Sequence, residues 1–546
     1  MTKRWAAVCA AFGLALTASG CGSEMAAMPP TAPVTSYVLT VNSIDPASGA
    51  EITATPADAN SQENGTTAFT RSYTAGTTVT LTATATAGGS NFSSWTGCTS
   101  TNGASCSVTM SANATVTANY VSPHTPTAYY VSGTGNDSAD GLTTATAFLT
   151  LQHAANKTQP GDTVYVMNGT YTNSCVGCDV LDITTPGTAS AWITFTALSG
   201  QTPKIQFNGW QGVHLLSTAA YIEVSGFAIE GNNYNVTLAG AQNQSTTNPD
   251  PAYNGNCIAS DGRQGTATQR PHHLRILNNT IWACGGAGVG IIQSDYTTIS
   301  GNTIYDTSWY SIYGSSAIST FQDWNSDNST ATKMVITGNR IFNNAQLIPT
   351  VGGTIITDGE GIIVDTNRNS SYDPTIGIPA YTGRTYIANN VIYGNGSAAI
   401  EAFQSDHVDV GYNSAYQDLT VRDVTGRGEM NVNAASDVNV VGNIFYAPSG
   451  QNPATVLSNT SAILLDYNLY YNGVLYPGTV SGPHDLTADP LYVDPADANR
   501  FNVLLAVQPA SPAVGSGTSQ LAPPTDFLNH PRPGPTGYDR GAYQQQ

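Results

Sequence analysis

The chain has 546 residues, of which only 10% are charged, with 36 Asp and Glu against 17 Lys and Arg. A typical soluble protein is about 25% charged, so Thr, Ser, Asn and Gly must cover the surface here, as in exported β-proteins. The formal charge of −19 excludes nucleic acid as a partner, because binding it needs a basic stripe, and the length suits a repeat array with an appendage better than one ordinary domain.

Lys3 and Arg4 precede an apolar run from Trp5 to Leu16 that ends in Thr17-Ala18-Ser19-Gly20-Cys21. Residues 1–20 read as a signal peptide, too short to span a membrane as a helix. The small residues before Cys21 resemble a bacterial lipobox. That implies lipidation of Cys21 and a place in the bacterial cell envelope, on the outer surface or in the periplasm, with the lipid as the only membrane contact. The alternative is plain signal-peptidase cleavage beside an incidental Cys. Residues 21–35 form a Pro/Ala tether. Cys9 leaves with the leader, and the six Cys beyond Cys21 are an even number in an oxidising compartment. Their spacing pairs Cys98 with Cys106, Cys175 with Cys178, and Cys257 with Cys284.

Residues 36–121 alternate apolar and Thr-rich positions with period 2, as in Thr78-Val79-Thr80-Leu81-Thr82-Ala83 and Ala114-Thr115-Val116-Thr117-Ala118-Asn119-Tyr120. This predicts a small antiparallel β-domain. The stretch Phe92 to Cys98, the strand after it and the Ala-Asn-Tyr ending resemble the divergent InlB-type bacterial repeat, which implies a spacer or binding accessory without a catalytic set.

Residues 128–480 are expected to form the main domain. It opens with Tyr129-Tyr130-Val131-Ser132-Gly133-Thr134-Gly135-Asn136-Asp137, a short helix with Phe148, Leu151 and Ala155 on one face, and Pro160-Gly161-Asp162-Thr163-Val164-Tyr165-Val166. A phrase of apolar, two residues, Asn, one residue, apolar then recurs with its Asn at 279, 302, 339, 390, 413, 443 and 468. A period near 23 residues with variable insertions signals a solenoid. One coil cannot bury its own apolar face, so stacking supplies the core, and an Asn at the same place in every coil can satisfy backbone groups along the stack. Short strands without long helices predict an all-β parallel β-helix. The opening resembles that of pectin-lyase-like β-helix proteins, in which the helix plugs the first coil, and this resemblance implies a right-handed parallel β-helix. Residues 481–546, with Asp489-Pro490-Leu491-Tyr492-Val493-Asp494-Pro495 and Asp539-Arg540-Gly541-Ala542-Tyr543, resemble the C-terminal segment of secreted bacterial β-helix proteins and read as the second cap.

Insertions at 236–271, 321–332 and 366–381 are expected to wall a groove. The densest acid cluster runs from Asp358 through Glu360 to Asp365, and the next coil supplies Glu401. Strands about 4.8 Å apart would let Asp365 and Glu401 approach, with Arg384 entering from the adjacent strand. Glu360, Asp365, Glu401, Arg368, Arg384 and His407 are therefore the candidate catalytic residues, with Arg427 nearby. Asp358, Glu360 and Asp365 are the candidate Ca²⁺ ligands. Trp309, Tyr310 and Trp324 are the candidate sugar-stacking residues, against the commoner fate of an aromatic in a core.

Resemblance to the pectin-lyase-like superfamily implies a monomeric extracellular enzyme acting on polysaccharide, and β-elimination of an acidic glycan is the leading expectation. A glycoside hydrolase using a carboxylate pair and a non-catalytic carbohydrate-binding adhesin are the alternatives. The start is similar to that of family-nine pectate lyases, but their Asp-rich calcium pattern and Lys base are absent, and so is the motif set of the polygalacturonases. Neither family's site residues carry over.

Overall fold

The computed structural model describes residues 34–244, 249–421 and 427–546. The expected leader, Cys21 and the tether as far as residue 33 lie outside the described residues. The chain divides into two compact units, residues 1–123 and 124–546.

In the first unit, ten strands form two five-stranded sheets. Period-2 patterning puts Leu39, Val41, Ile52, Val79, Leu81 and Val116 in the shared core, with Trp95 and Tyr120. Pairing is antiparallel except between the first strand, Ser36–Ile44, and the last, Ala114–Val121, which run parallel. The Cys98–Cys106 disulfide forms as expected.

The second unit is a parallel β-helix of three sheets, with eleven, eleven and nine strands. The first sheet runs from Ala128–Val131 to Ser461–Asp466, the second from Thr170–Thr172 to Leu486–Thr487, and the third from Leu181–Ile183 to Asn452–Val456. Each coil visits them in that order. The inward positions are stacked aliphatics such as Ile276, Ile299, Ile336 and Ile387, all with no exposure. The helix Leu151–Ala155 is capped by the Thr150 side chain, which accepts from the His153 amide. It buries Leu151, Ala154 and Ala155 with Phe148 in that core, so it plugs the stack's open end.

The recurring Asn forms a continuous buried column at the corner between the first and second sheets. Each side-chain Oδ1 accepts from the backbone N–H of the Asn one coil earlier, from Asn279 to Asn468, at 2.8–3.1 Å. Each Nδ2 donates to a carbonyl of the preceding coil, as Asn339 does to Ile299 at 3.0 Å. Asp485 ends the column by accepting from the Asn468 amide. A parallel column five residues further on links Thr307, Asn344, Asn395, Asp418 and Glu429. From Ala220 onward the first corner always holds two residues, whereas the other two corners vary widely.

The C-terminal segment departs from its expected place as an end cap. Leu486–Thr487 adds a last strand to the second sheet, but the rest runs back along the outside of the coils. Arg500 pairs with Asp306, 2.6 Å away. Arg340 donates to the Val503 carbonyl, and Arg540 donates to the carbonyls of Asn468 and His484. The cause is the outer face of the second sheet, where Trp282, Tyr305, Phe342, Tyr393, Tyr416, Tyr446 and Tyr471 lie in one register column. The Tyr305, Phe342 and Tyr393 rings stack 5.1 and 4.9 Å apart. Tyr492, Val503, Leu505 and Val507 cover this apolar strip.

Candidate active site

The third sheet has a variable corner on each edge. The chain enters it through the connections 231–255, 306–317, 343–361 and 417–427, and leaves through 262–271, 322–331 and 366–383. The expected insertions are therefore divided between two corners, and together they border the outer face of this sheet. Along that face, one register column reads Asp182, His214, Ala259, Gly290, Ser319, Ile363, Glu401, Asn431 and Thr455. The middle of the column has small side chains, and each end is polar.

At the later end the strand Ile362–Asp365 sends Ile362 and Val364 into the core, so the pleat turns Ile363 and Asp365 outward. Glu401 sits beside Ile363 on the next strand. Gly359, at φ 101°, makes the turn that sets Asp358 and Glu360 on the entering edge; any side chain there would sit 2.5 Å from the Gln346 amide nitrogen. Arg427 joins the cluster from the following coil. Its Nη1 lies 2.8 Å from Glu360 Oε1 and also contacts Glu401. Ser316 and Ser397 donate to the two oxygens of Glu360 at 2.6 and 2.7 Å, and Asn431 donates to Glu401 at 2.8 Å. Glu360 and Glu401 are fully buried, and both oxygens of Glu360 are hydrogen-bonded.

Asp358 and Asp365 are partly exposed and differ electrically. Burial, reinforced by the Glu360 and Asp365 charges, pushes the Asp358 carboxyl up to about 7. Burial and Glu360 push Asp365 up to about 6, against the hydrogen bond from Thr366. The main physical reason is desolvation, which penalises the anion, and among the described residues four carboxyl groups lie with one guanidinium.

The structure thus brings Asp358, Glu360, Asp365 and Glu401 together, and makes Arg427 rather than Arg384 their cation. Arg384 lies on the first sheet, paired with Asp409 and Asp437 at 2.8 and 2.5 Å. The segment Ile387-Ala388-Asn389-Asn390 that follows it belongs to the corner column, which fixes it there. His407 binds Asp437 at 2.7 Å, and Arg368 binds Asp406 at 2.9 Å. These three expected catalytic residues form acid–base pairs at the leaving corner and do not enter the cluster.

Trp324 is buried, at 7% exposure, and is no stacking platform. Trp309 and Tyr310 are half-buried in the entering-edge loop, where Trp309 faces Tyr234 at 5.8 Å. Asp358, Glu360 and Asp365 do not converge as a cation cage: among the described residues, the one set of three acid, His or Cys side chains with ligand atoms within 4.8 Å of each other is Asp179, Asp182 and His214. Sequence reasoning missed that set. Asp182 and His214 lie in the coils before the Asn phrase begins, and only strand register shows them to be neighbours. The disulfides Cys175–Cys178 and Cys257–Cys284 form as expected.

Residues 129–285 match the family model described as the Pel9A-like right handed beta helix region, and residues 55–123 match that of the Divergent InlB B-repeat domain. Both sequence resemblances are thereby borne out for these segments. Among solved structures, pectate lyase Pel9A aligns over 78% of this chain and 97% of its own at 14% identity, with a TM-score of 0.41. A rhamnogalacturonan lyase aligns over 70% and 95% at 14% identity, with a TM-score of 0.37. The GH136 lacto-N-biosidase from Eubacterium ramulus aligns over 66% and 67% at 14% identity, with a TM-score of 0.34. At these identities the likeness concerns the fold alone. No curated protein matches the chain.

Proposed function

We propose that the protein is a polysaccharide-degrading enzyme that cleaves a glycosidic bond by acid–base chemistry, with Asp358 as the acid and Asp365 as the base. The observation that carries this reading is the pair of carboxyls pushed up to about 7 and about 6 within one bordered face. Near neutrality one holds a proton while the other has lost it, which is what protonating a leaving oxygen and activating water require. Glu360, Glu401 and Arg427 are positioning residues that form the buried ion-paired floor beside the two aspartates. The match of residues 129–285 to a Pel9A-like region supports a glycan as the substrate class.

A second reading rests on the same charge excess. Ca²⁺ on Asp358 and Asp365 would neutralise it as protons do, and a uronate bound to that ion would be primed for β-elimination. The geometry favours hydrolysis, because Arg368, Arg384 and His407 are engaged elsewhere and Arg427 is shared between two carboxylates. Assay on a panel of neutral and acidic glycans separates the readings. Hydrolysis yields new reducing ends without ultraviolet-absorbing unsaturated products and survives chelator, whereas elimination gives the absorbance and is lost with chelator. Asp358→Asn and Asp365→Asn are each expected to lower kcat at least ~100-fold, the scale of general acid–base catalysis. Binding without turnover in the unsubstituted protein would instead favour a carbohydrate-binding surface protein.

A further inference from the structure

We propose that Asp179, Asp182 and His214 form a mononuclear binding site for a divalent transition metal of the Zn²⁺ class, separate from the acid cluster. Asp182 lies on the strand Leu181–Ile183 and His214 on the strand Gln211–Leu215, directly opposite in register. Their neighbours Leu181, Ile183, Val213 and Leu215 are in the core, so the pleat turns both side chains outward on one face. Asp179 immediately follows the Cys175–Cys178 disulfide loop, and Gln152 of the plugging helix pins Asp182 by bonding its amide and carbonyl at 2.7 and 3.0 Å.

His214 Nδ1 lies 2.8 Å from Asp179 Oδ2 and 3.6 Å from Asp182 Oδ1. Ligand atoms about 2.0–2.2 Å from a tetrahedral zinc stand about 3.3–3.6 Å apart. The His214–Asp182 separation has that length, all three ligand atoms lie within 4.8 Å of one another, and the shorter His214–Asp179 contact is a hydrogen bond that an entering ion would replace. A second observation points into the same place: Asp182 Oδ1 and Asp179 Oδ1 are buried oxygens with no hydrogen-bond partner. Buried polar atoms ordinarily have one, and a cation supplies it. The three residues line a cavity of about 650 Å³ bounded also by Trp210 and Gln211, which leaves the remaining coordination positions open to water or a ligand. One imidazole and two carboxylates suit a borderline first-row ion and are too few oxygens for Ca²⁺. Five strand intervals separate His214 from Glu401. At ~4.8 Å each that is ~24 Å, so the site stands whichever reaction the acid cluster performs.

The test is calorimetric titration of the metal-free full-length protein with ZnCl₂, with CaCl₂ as the comparison and Co²⁺ absorption as an independent readout. Expected are one equivalent of Zn²⁺, no saturable Ca²⁺ uptake at this site, tetrahedral Co²⁺ bands, and affinity at least 100-fold weaker in His214→Ala and in Asp182→Asn. Asp182 is partly exposed at 43%, so its variant keeps the test open if His214→Ala fails to fold. Absence of stoichiometric Zn²⁺ binding, or unchanged affinity in a folded Asp182→Asn variant, would overturn the proposal.

Discussion

Asp358 and Asp365 show how one environment gives two like side chains different duties. Both are raised chiefly by burial and also by Glu360, but Asp358 further feels Asp365, so it keeps its proton to a higher pH. Cleavage needs Asp365 ionised and Asp358 protonated. Activity should therefore rise as pH climbs through about 6 and fall as it passes about 7, because the first step creates the base and the second removes the acid. A bell-shaped pH profile of kcat/KM with those limbs is expected, belonging to the pair jointly. A profile flat from pH 5 to 9 would count against the assignment. Part of this site was legible from residue type alone: Glu360, Asp365 and Glu401 stand out in a lightly charged chain. Arg427 was harder to weigh, since its reach to two coils depends on the path of a loop rather than on any strand pattern.

The strand-and-corner element is the most legible part of the molecule. The Asn phrase signals the column because the same side chain must perform the same bonding in every coil. Asn339 accepts from the amide and Nδ2 of Asn302 and donates to Ile299. Asn339→Ala removes the side-chain partner of the buried Asn302 amide and of the Ile299 carbonyl, at about 1–3 kcal/mol each, so a loss of about 3 kcal/mol or more is expected in denaturant unfolding. A loss below about 1 kcal/mol would show that the column is dispensable. The second column was present in the sequence as Asn344, Asn395 and Asp418, each five residues after a column Asn, but the spacing carries meaning only once the corner is known. Arg384 illustrates the opposite error. It is expected from sequence to enter the acid cluster from the adjacent strand, yet the apolar phrase immediately after it belongs to the first sheet.

At the scale of the whole molecule, the C-terminal segment lies along the flank because the second sheet carries an aromatic in the third position of every strand from Trp282 to Tyr471. Seven rings in register make an apolar strip that cannot be left in water, and no periodicity in residues 489–546 reveals that they are its cover. Four of the covering side chains, Tyr492, Val503, Leu505 and Val507, are nearly fully buried. At ~1.5–3 kcal/mol each, removing the segment after Ala488 should cost on the order of 6 kcal/mol. The truncated protein is expected to bind a hydrophobic dye and to self-associate in light scattering. A soluble truncated monomer with an unchanged melting temperature would refute the covering role.

The constant two-residue corner at the Asn column and the variable corners bordering the third sheet divide the chain by tolerance to change. A residue inserted at the first would throw every later rung out of step, whereas lengthening 343–361 or 366–383 alters only the loops bordering the third sheet. A lineage built on this rod can revise what it grips while inheriting the rod intact, and an engineer grafting new loops should work at those two margins.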